Sequence, residues 1–96
     1  MRALNLYPCV YVLELEGDER CDSYFYVGCS HNFNHRLSSH IAGLGANFTK
    51  LHQFKTVCEV RIVREGSALD LENQVTLEYI SKHGAERVRG GKFVRC

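Results

Sequence analysis

Apolar and polar positions alternate along residues 9–16 (CVYVLELE), with Tyr11, Leu13 and Leu15 on one face and Val10, Val12 and Glu14 on the other. A period of two carried by β-branched and aromatic residues predicts a strand. Residues 17–23 (GDERCDS) are polar and open on Gly, and residues 24–29 (YFYVGC) return to a strand pattern. Two strands joined by so short a loop run antiparallel. Gly28 inside the second strand points to a bulge or a close backbone approach. Ser30 resembles an N-cap, and residues 31–43 read as a helix with an apolar stripe of Phe33, Leu37, Ile41 and Leu44, ended by Gly43 and Gly45. Residues 46–55 (ANFTKLHQFK) read as a basic loop with interleaved aromatics. Residues 56–63 (TVCEVRIV) give a third strand, with Val57, Glu59, Arg61 and Val63 opposite Cys58, Val60 and Ile62. Ser67-Ala68-Leu69-Asp70 predicts a capping box, and the helix it opens runs to about His83, where Gly84 stops it. The tail, ERVRGGKFVRC, predicts a short terminal element with a Gly-Gly turn flanked by Arg89 and Lys92.

The order β-β-α-β-α predicts an α+β fold: a small mixed or antiparallel three-stranded sheet flanked by helices. Ninety-six residues suffice for one core, so residues 1–96 are expected to form a single domain. There is no internal repeat, and no apolar run reaches the length of a transmembrane helix. The N-terminal stretch meets acidic residues too early for a signal peptide. The five Cys stand at 9, 21, 29, 58 and 96 with no CxxC spacing, which disfavours a zinc ribbon. Their odd number favours reduced thiols and an intracellular location, cytoplasmic or nuclear. Cys29 and Cys58 are expected to pack as small hydrophobes, and the abrupt end at Cys96 suggests a piece of a longer chain.

The net charge of +1 argues against a generic polyanion binder, but the average hides a split. Residues 31–64 carry Arg36, Lys50, Lys55, Arg61 and Arg64 against Glu59 alone, together with four of the five His. Within that segment Arg36 and His40 stand at i and i+4, on one side of the predicted helix. On the second helix Glu72 falls within about 60° of Ala68, Val75 and Tyr79, inside the apolar stripe, whereas Glu78 is about 120° away and should face solvent. A carboxylate on a buried stripe needs a partner. An Arg in a structural ion pair would serve, and so would Mg²⁺ or Mn²⁺, which take carboxylate oxygen and keep several waters. Arg36 alone reads as a solvated helix residue, His40 as a satisfied surface histidine, and Tyr11 and Tyr26 as half-buried strand aromatics.

Order and spacing change that reading. Cys9-Val10-Tyr11, then Tyr26-Val27-Gly28 after a hairpin, then Arg36 and His40, then Glu72 within Ala68-Leu69-Asp70-Leu71-Glu72-Asn73, resembles the GIY-YIG nuclease superfamily. The first motif has become Cys-Val-Tyr and keeps its Tyr; the second carries Val for Ile. Gly43-Leu44-Gly45-Ala46-Asn47-Phe48-Thr49 is similar to the Gly-Ala-aromatic-Thr turn of small members, and the likeness spans about residues 9–93. Many members also place an Asn about a dozen residues after the acidic position, where this chain has Gly84; Asn73 and Asn47 are possible substitutes.

The resemblance implies an endonuclease hydrolysing DNA phosphodiester bonds with one divalent ion, Mg²⁺ or Mn²⁺. It makes Tyr11 the general base or the holder of the attacking water, and Tyr26 a phosphate or nucleophile contact. Arg36 stabilises the charge on phosphorus, His40 assists proton transfer or phosphate contact, and Glu72 carries the metal. A phenol of pKa about 10 is a poor base at neutral pH. Depression of Tyr11 by Arg36, the metal and a protonated His40 is therefore expected, with activity rising with pH. Lys50, His52, Arg89 and Lys92 are expected to touch nucleic acid, with Phe48 and Phe54 available to stack on bases. DNA is the implied partner, structured or branched substrates included, and no membrane is. Specificity in so small a domain falls to appended domains, protein partners or dimerisation. Two other readings stand beside this one: a catalytically inactive nucleic-acid-binding domain of the same fold, and an unrelated α+β interaction domain.

Overall fold

The computed structural model describes residues 7–44 and 47–90, with the side chains of Asn47 and Phe48 outside that description. Its elements are β1 (Cys9–Glu16), β2 (Ser23–Ser30), α1 (Phe33–Ile41), α2 (Asn47–Leu51), β3 (Phe54–Ile62), α3 (Ala68–His83), a 3₁₀ turn (Ala85–Arg87) and β4 (Val88–Gly90). The sheet has four strands in the order β3-β1-β2-β4, not the three expected. β1 pairs antiparallel with β2 and β3, and β4 adds to the far edge of β2 in parallel, Tyr26 opposite Arg89 and Val27 opposite Gly90. The short run Val88-Arg89-Gly90 carries no periodicity of its own, which is why the tail reads as an unclassified element. Gly90 belongs to this strand: a Cβ there would stand 2.6 Å from Val27 Cβ and 2.7 Å from Val27 O. The rest of the proposed Gly-Gly turn, with Lys92, lies outside the described residues.

Both faces of the sheet are covered, so β1 is apolar almost throughout. On one face Val10, Val12, Phe25, Val27 and Val88 pack with Val75 and Tyr79 of α3, with Ala68 and Leu71 alongside. On the other, Cys9, Tyr11, Leu13, Leu15, Tyr24 and Tyr26 pack with Phe33 and Leu37 of α1. The alternation read in β1 thus sorts its side chains correctly between two cores.

β3 departs from its simple alternation. Its register against β1 steps from Val12↔Glu59 to Leu13↔Val57, leaving Cys58 as an extra residue. A bulge of this kind shifts the parity of everything before it. Val57 therefore joins Val60 and Ile62 on the α1 face, Glu59 and Arg61 keep to the α3 face, and Cys58 is exposed instead of packed. Cys29 is only partly buried.

Helix α1 starts later than expected. Asn32 is the N-cap, its Oδ1 accepting from His35 N at 3.2 Å, while Ser30 Oγ accepts from Asn32 N one step earlier. The expected stripe holds only in its first half: Phe33 is buried, but Ile41 is 57% and Leu44 75% exposed. The basic segment 46–55 is not simply a loop, since it contains α2 and the start of β3. Ser67 caps α3 as predicted, accepting from Leu69 N and Asp70 N. Glu78 is only half exposed and pairs with Arg61 at 2.8 Å. No helix among the described residues is long and apolar enough to cross a membrane.

Candidate active site

Tyr11 stands mid-strand in β1 directly opposite Gly28 of β2. Its ring lies against that glycine: a Cβ at Gly28 would come within 2.4 Å of both Tyr11 Cζ and Oη. The close approach expected of Gly28 is this one, and it is why the second motif ends in glycine. Two residues earlier on the same face of β2, Tyr26 places its ring centroid 6.5 Å from that of Tyr11. Phe33, the first residue of α1, closes the far side of Tyr11 at 5.3 Å.

One and two turns along α1 come Arg36 and His40. His40 is not the surface histidine that residue type suggests; it is 1% exposed. Its imidazole fills the slot between the two tyrosines, with centroids at 5.8 Å from Tyr11 and 5.3 Å from Tyr26. Both ring nitrogens are engaged, Nε2 with Tyr11 Oη at 2.9 Å and Nδ1 with Thr49 Oγ1 at 2.9 Å. Burial, with the nearby Arg36 charge adding to it, lowers the His40 pKa to about 4. The ring is therefore neutral at pH 7, one nitrogen donating and the other accepting, and the expectation of a protonated His40 is corrected. Burial also raises the Tyr11 hydroxyl well above its ordinary value, more than hydrogen bonding and charge from Arg36 pull it down. Tyr26 is raised by burial and lowered by Arg36 in the same way. The depressed Tyr11 expected from its neighbouring cations is therefore corrected: desolvating a phenolate costs more than those cations return.

Glu72 lies on the first half of α3 and is half-buried. Its negative charge raises Tyr11, Tyr26 and the Cys29 thiol, so its field reaches the tyrosine pair from the α3 side. Five of the sequence-selected residues, Tyr11, Tyr26, Arg36, His40 and Glu72, thus act on one another. The residue that sequence reasoning missed is Thr49. It is 4% exposed and orients His40 from α2; its signal was the final residue of the Gly-Ala-aromatic-Thr turn.

The proposed nucleic-acid contacts are more spread out. Lys50 is exposed on α2, and His52 follows that helix with its ring against Tyr24 at 4.2 Å. Arg89 lies in β4 beside Tyr26 and donates from Nη1 to the carbonyls of Ala85 and Val88 at 3.0 Å each. Phe54 is partly buried against the α1-side core instead of offering a stacking face, and Phe48 and Lys92 fall outside the description. Gly84, at the position where many members carry Asn, ends α3 with φ +96° and donates its N–H to Ile80 O. Asn73 is half-buried one residue past Glu72.

The chain belongs to the GIY-YIG family: the GIY-YIG catalytic domain matches residues 7–87. That domain is a nuclease-type fold, and the mixed sheet with helices on both faces is compatible with it. Comparisons with curated proteins and with solved structures give no match.

Proposed function

We propose that the protein is a metal-dependent endonuclease that hydrolyses DNA phosphodiester bonds. The observation that carries this reading is the Tyr11–His40 hydrogen bond, flanked by Tyr26 and Arg36 and lying in the field of Glu72. A structural core has no need of a histidine with both nitrogens engaged beside two tyrosines, an arginine and a carboxylate.

The donor set bears on the metal. Among the described residues no group of three His, Cys, Asp or Glu side chains could cage an ion. A lone carboxylate is what Mg²⁺ or Mn²⁺ uses when it keeps most of its waters and shares phosphate oxygens with the substrate. Glu72 fits that role, and one ion held there would offset charge on the phosphate and on the leaving 3′ oxygen.

The chain's own residues supply the rest. Arg36 presents a planar fork of donors to the phosphate oxygens, where negative charge grows. Tyr26 stands beside it as a phosphate contact. Tyr11 holds the attacking water. With the His40 proton on Nδ1 and donated to Thr49 Oγ1, Nε2 accepts the Tyr11 O–H. As the water oxygen bonds to phosphorus, its proton moves to Tyr11 and the Tyr11 proton to His40. The P–O3′ bond breaks and its electron pair leaves on the 3′ oxygen. Neutral His40 removes the need for a depressed phenol, so activity follows the deprotonated imidazole and falls as pH drops toward about 4.

The test is cleavage of linear, nicked, flapped and branched DNA with Mg²⁺ or Mn²⁺ by wild type, Arg36→Ala and Glu72→Ala. Wild-type cleavage that is blocked by EDTA and lost in both variants supports the reading. Binding without cleavage under every condition would replace it with the inactive binding domain.

A further inference from the structure

A concavity lies beside the Tyr11–His40 pair, on the same side of the sheet. It measures about 690 Å³ and is walled by the β1–β2 hairpin, the start of β2, the end of α2 and the 3₁₀–β4 segment. That volume lies in the ~300–1,000 Å³ range of small-ligand pockets. Arg20, Arg87 and Arg89 line it against one acid, Glu86.

The two better-placed cations are held differently. Arg87 is anchored through Nε on Ser23 O at 3.0 Å, with its guanidinium over the Phe25 ring, which leaves its terminal nitrogens for a ligand. Arg20 is 82% exposed and meets Asp18 only at 3.5 Å, an exposed pair that binding can break at little cost. The remaining wall carries the His52 ring, packed at a tilt against Tyr24 at 4.2 Å, and Leu51, 75% exposed. Tyr24 is fixed from below, its hydroxyl donating to Asp18 Oδ2 at 2.7 Å. A ring and an aliphatic side chain in the same cavity as two guanidinium groups suit a nucleobase with its phosphate.

The position of the cavity says which nucleotide. Tyr24 and Tyr26 project from the same face of β2, two residues or roughly 6.6 Å apart. α2 supplies Thr49 to His40 and Leu51 to the cavity, His52 follows it there, and Arg89 in the cavity wall pairs in register with Tyr26. Three elements therefore join the cavity to the candidate active site. A base stacked within a duplex cannot enter a recess of this kind without leaving its stack, whereas an unpaired one can. We propose that the cavity bounded by Arg20, Tyr24, His52 and Arg87 receives an unpaired nucleotide of the strand being cut, the base against His52 and Leu51 and the phosphate on Arg20 and Arg87. This rests on the nuclease reading and gives it a substrate class: DNA with a single-stranded arm next to the scissile bond.

Binding is measured in EDTA, so that it does not depend on cleavage, by fluorescence anisotropy of a short single-stranded oligonucleotide at low salt. Base stacking on an aromatic face and loss of phosphate contacts predict that Arg20→Ala combined with His52→Ala weakens the oligonucleotide about tenfold or more. Arg87→Ala alone is the second variant, with circular dichroism confirming that each remains folded. Lys82→Ala, on α3 across the sheet, serves as the control and leaves affinity where it was. Oligonucleotide affinity unchanged in both cavity variants overturns the proposal. Competition by free dTMP as effective, per mole, as the oligonucleotide overturns it too, because the cavity would then serve a free nucleotide instead of the strand. In Mg²⁺ the wild type is expected to prefer a flapped duplex to the matching perfect duplex, and the cavity variants to lose that preference. A wild type that cuts nothing would sink the nuclease reading while the anisotropy result still decides what the cavity binds.

Discussion

Tyr11 Oη and His40 Nε2 are 2.9 Å apart, joined across 29 residues of chain by a hydrogen bond between two buried side chains. Neither group carries charge at neutral pH. Burial holds the phenol protonated and the imidazole unprotonated, so no free ion waits in the site and the pair is joined by a neutral hydrogen bond. Groups that act as one unit give non-additive losses. Tyr11→Phe keeps the ring but removes the hydroxyl, and is expected to slow cleavage roughly 10²–10⁴-fold, the range for a positioned acid–base group. His40→Gln in that background should add little to the loss. Single-turnover rates for the two single variants and the double variant check this; losses that simply multiply would show that the two residues act separately.

The same pair makes folding pH-dependent. The His40 pKa is lowered from 6.5 to about 4 by burial and then by Arg36. Between those values the unfolded chain binds a proton that the folded chain does not. Stability from this group is therefore complete above about pH 6.5 and is lost as pH falls toward about 4, with a slope of at most ~1.4 kcal/mol per pH unit. Carboxylates such as Glu14 and Glu59, whose pKa values are lowered by bonds to Ser23 and Arg61, add to the acid loss. The contribution of His40 is isolated by comparison with His40→Gln: urea unfolding from pH 4 to 8 should give a flatter profile for the variant.

Thr49 Oγ1 holds His40 Nδ1 at 2.9 Å and so fixes the orientation of the ring. Thr49→Val leaves Nδ1 buried without its partner, at a cost of about 1–3 kcal/mol, whereas Thr49→Ser keeps the oxygen and restores both stability and rate. A purely structural threonine would alter stability and leave the pH profile of cleavage unmoved. Here Thr49→Val is expected to move the acid limb of that profile, because the imidazole it releases titrates differently.

Much of this was legible in the chain. β1, β2 and the Ser67-capped α3 follow from local pattern and capping chemistry, and Tyr11, Tyr26, Arg36, His40 and Glu72 follow from order and spacing. What escaped depended on partners remote in sequence. The bulge at Cys58 reverses the facing of Val57 and cannot be seen without β1. β4 is a strand only because β2 offers it an edge. Helical periodicity assigned Ile41 and Leu44 to the core, while the core slot beside Tyr11 is polar and took His40 instead.

Gly28 is fixed by a steric argument of the same non-local kind. Its Cα faces the Tyr11 ring so closely that a methyl group would stand 2.4 Å from Cζ. Tyr11 cannot swing aside without breaking its bond to His40. Gly28→Ala is therefore expected to destabilise the fold by about 1–3 kcal/mol, the usual cost of overpacking, and to lower cleavage well beyond that stability loss. Guanidinium unfolding and rate measurements on the same sample test the two parts. A variant of unchanged stability and full activity would show that the ring moves freely.

Arg36 and Arg61 belong to the same basic stretch of sequence, yet the sheet separates their tasks. Arg36 lies on α1 and acts on Tyr11 and Tyr26. Arg61 lies on the α3 face, bonded to Glu59 at 2.8 Å and to Glu78 at 2.8 Å, while Tyr79 Oη donates to Glu59 at 2.6 Å. Removing Arg61 leaves two carboxylates without their shared cation next to a nearly buried tyrosine. Arg61→Ala should lower stability by about 1–2 kcal/mol, more than an isolated surface pair contributes, because one guanidinium serves two acids. Its cleavage rate should stay near wild type when assayed well below the melting temperature. Arg36→Ala should do the reverse, keeping its melting temperature within a few degrees and losing the rate. Measuring melting temperature and single-turnover rate for both variants separates the roles; equal loss of rate in the two would mean that the basic segment acts through its net charge, and that the placement of Arg36 beside the tyrosines has no special part in the chemistry.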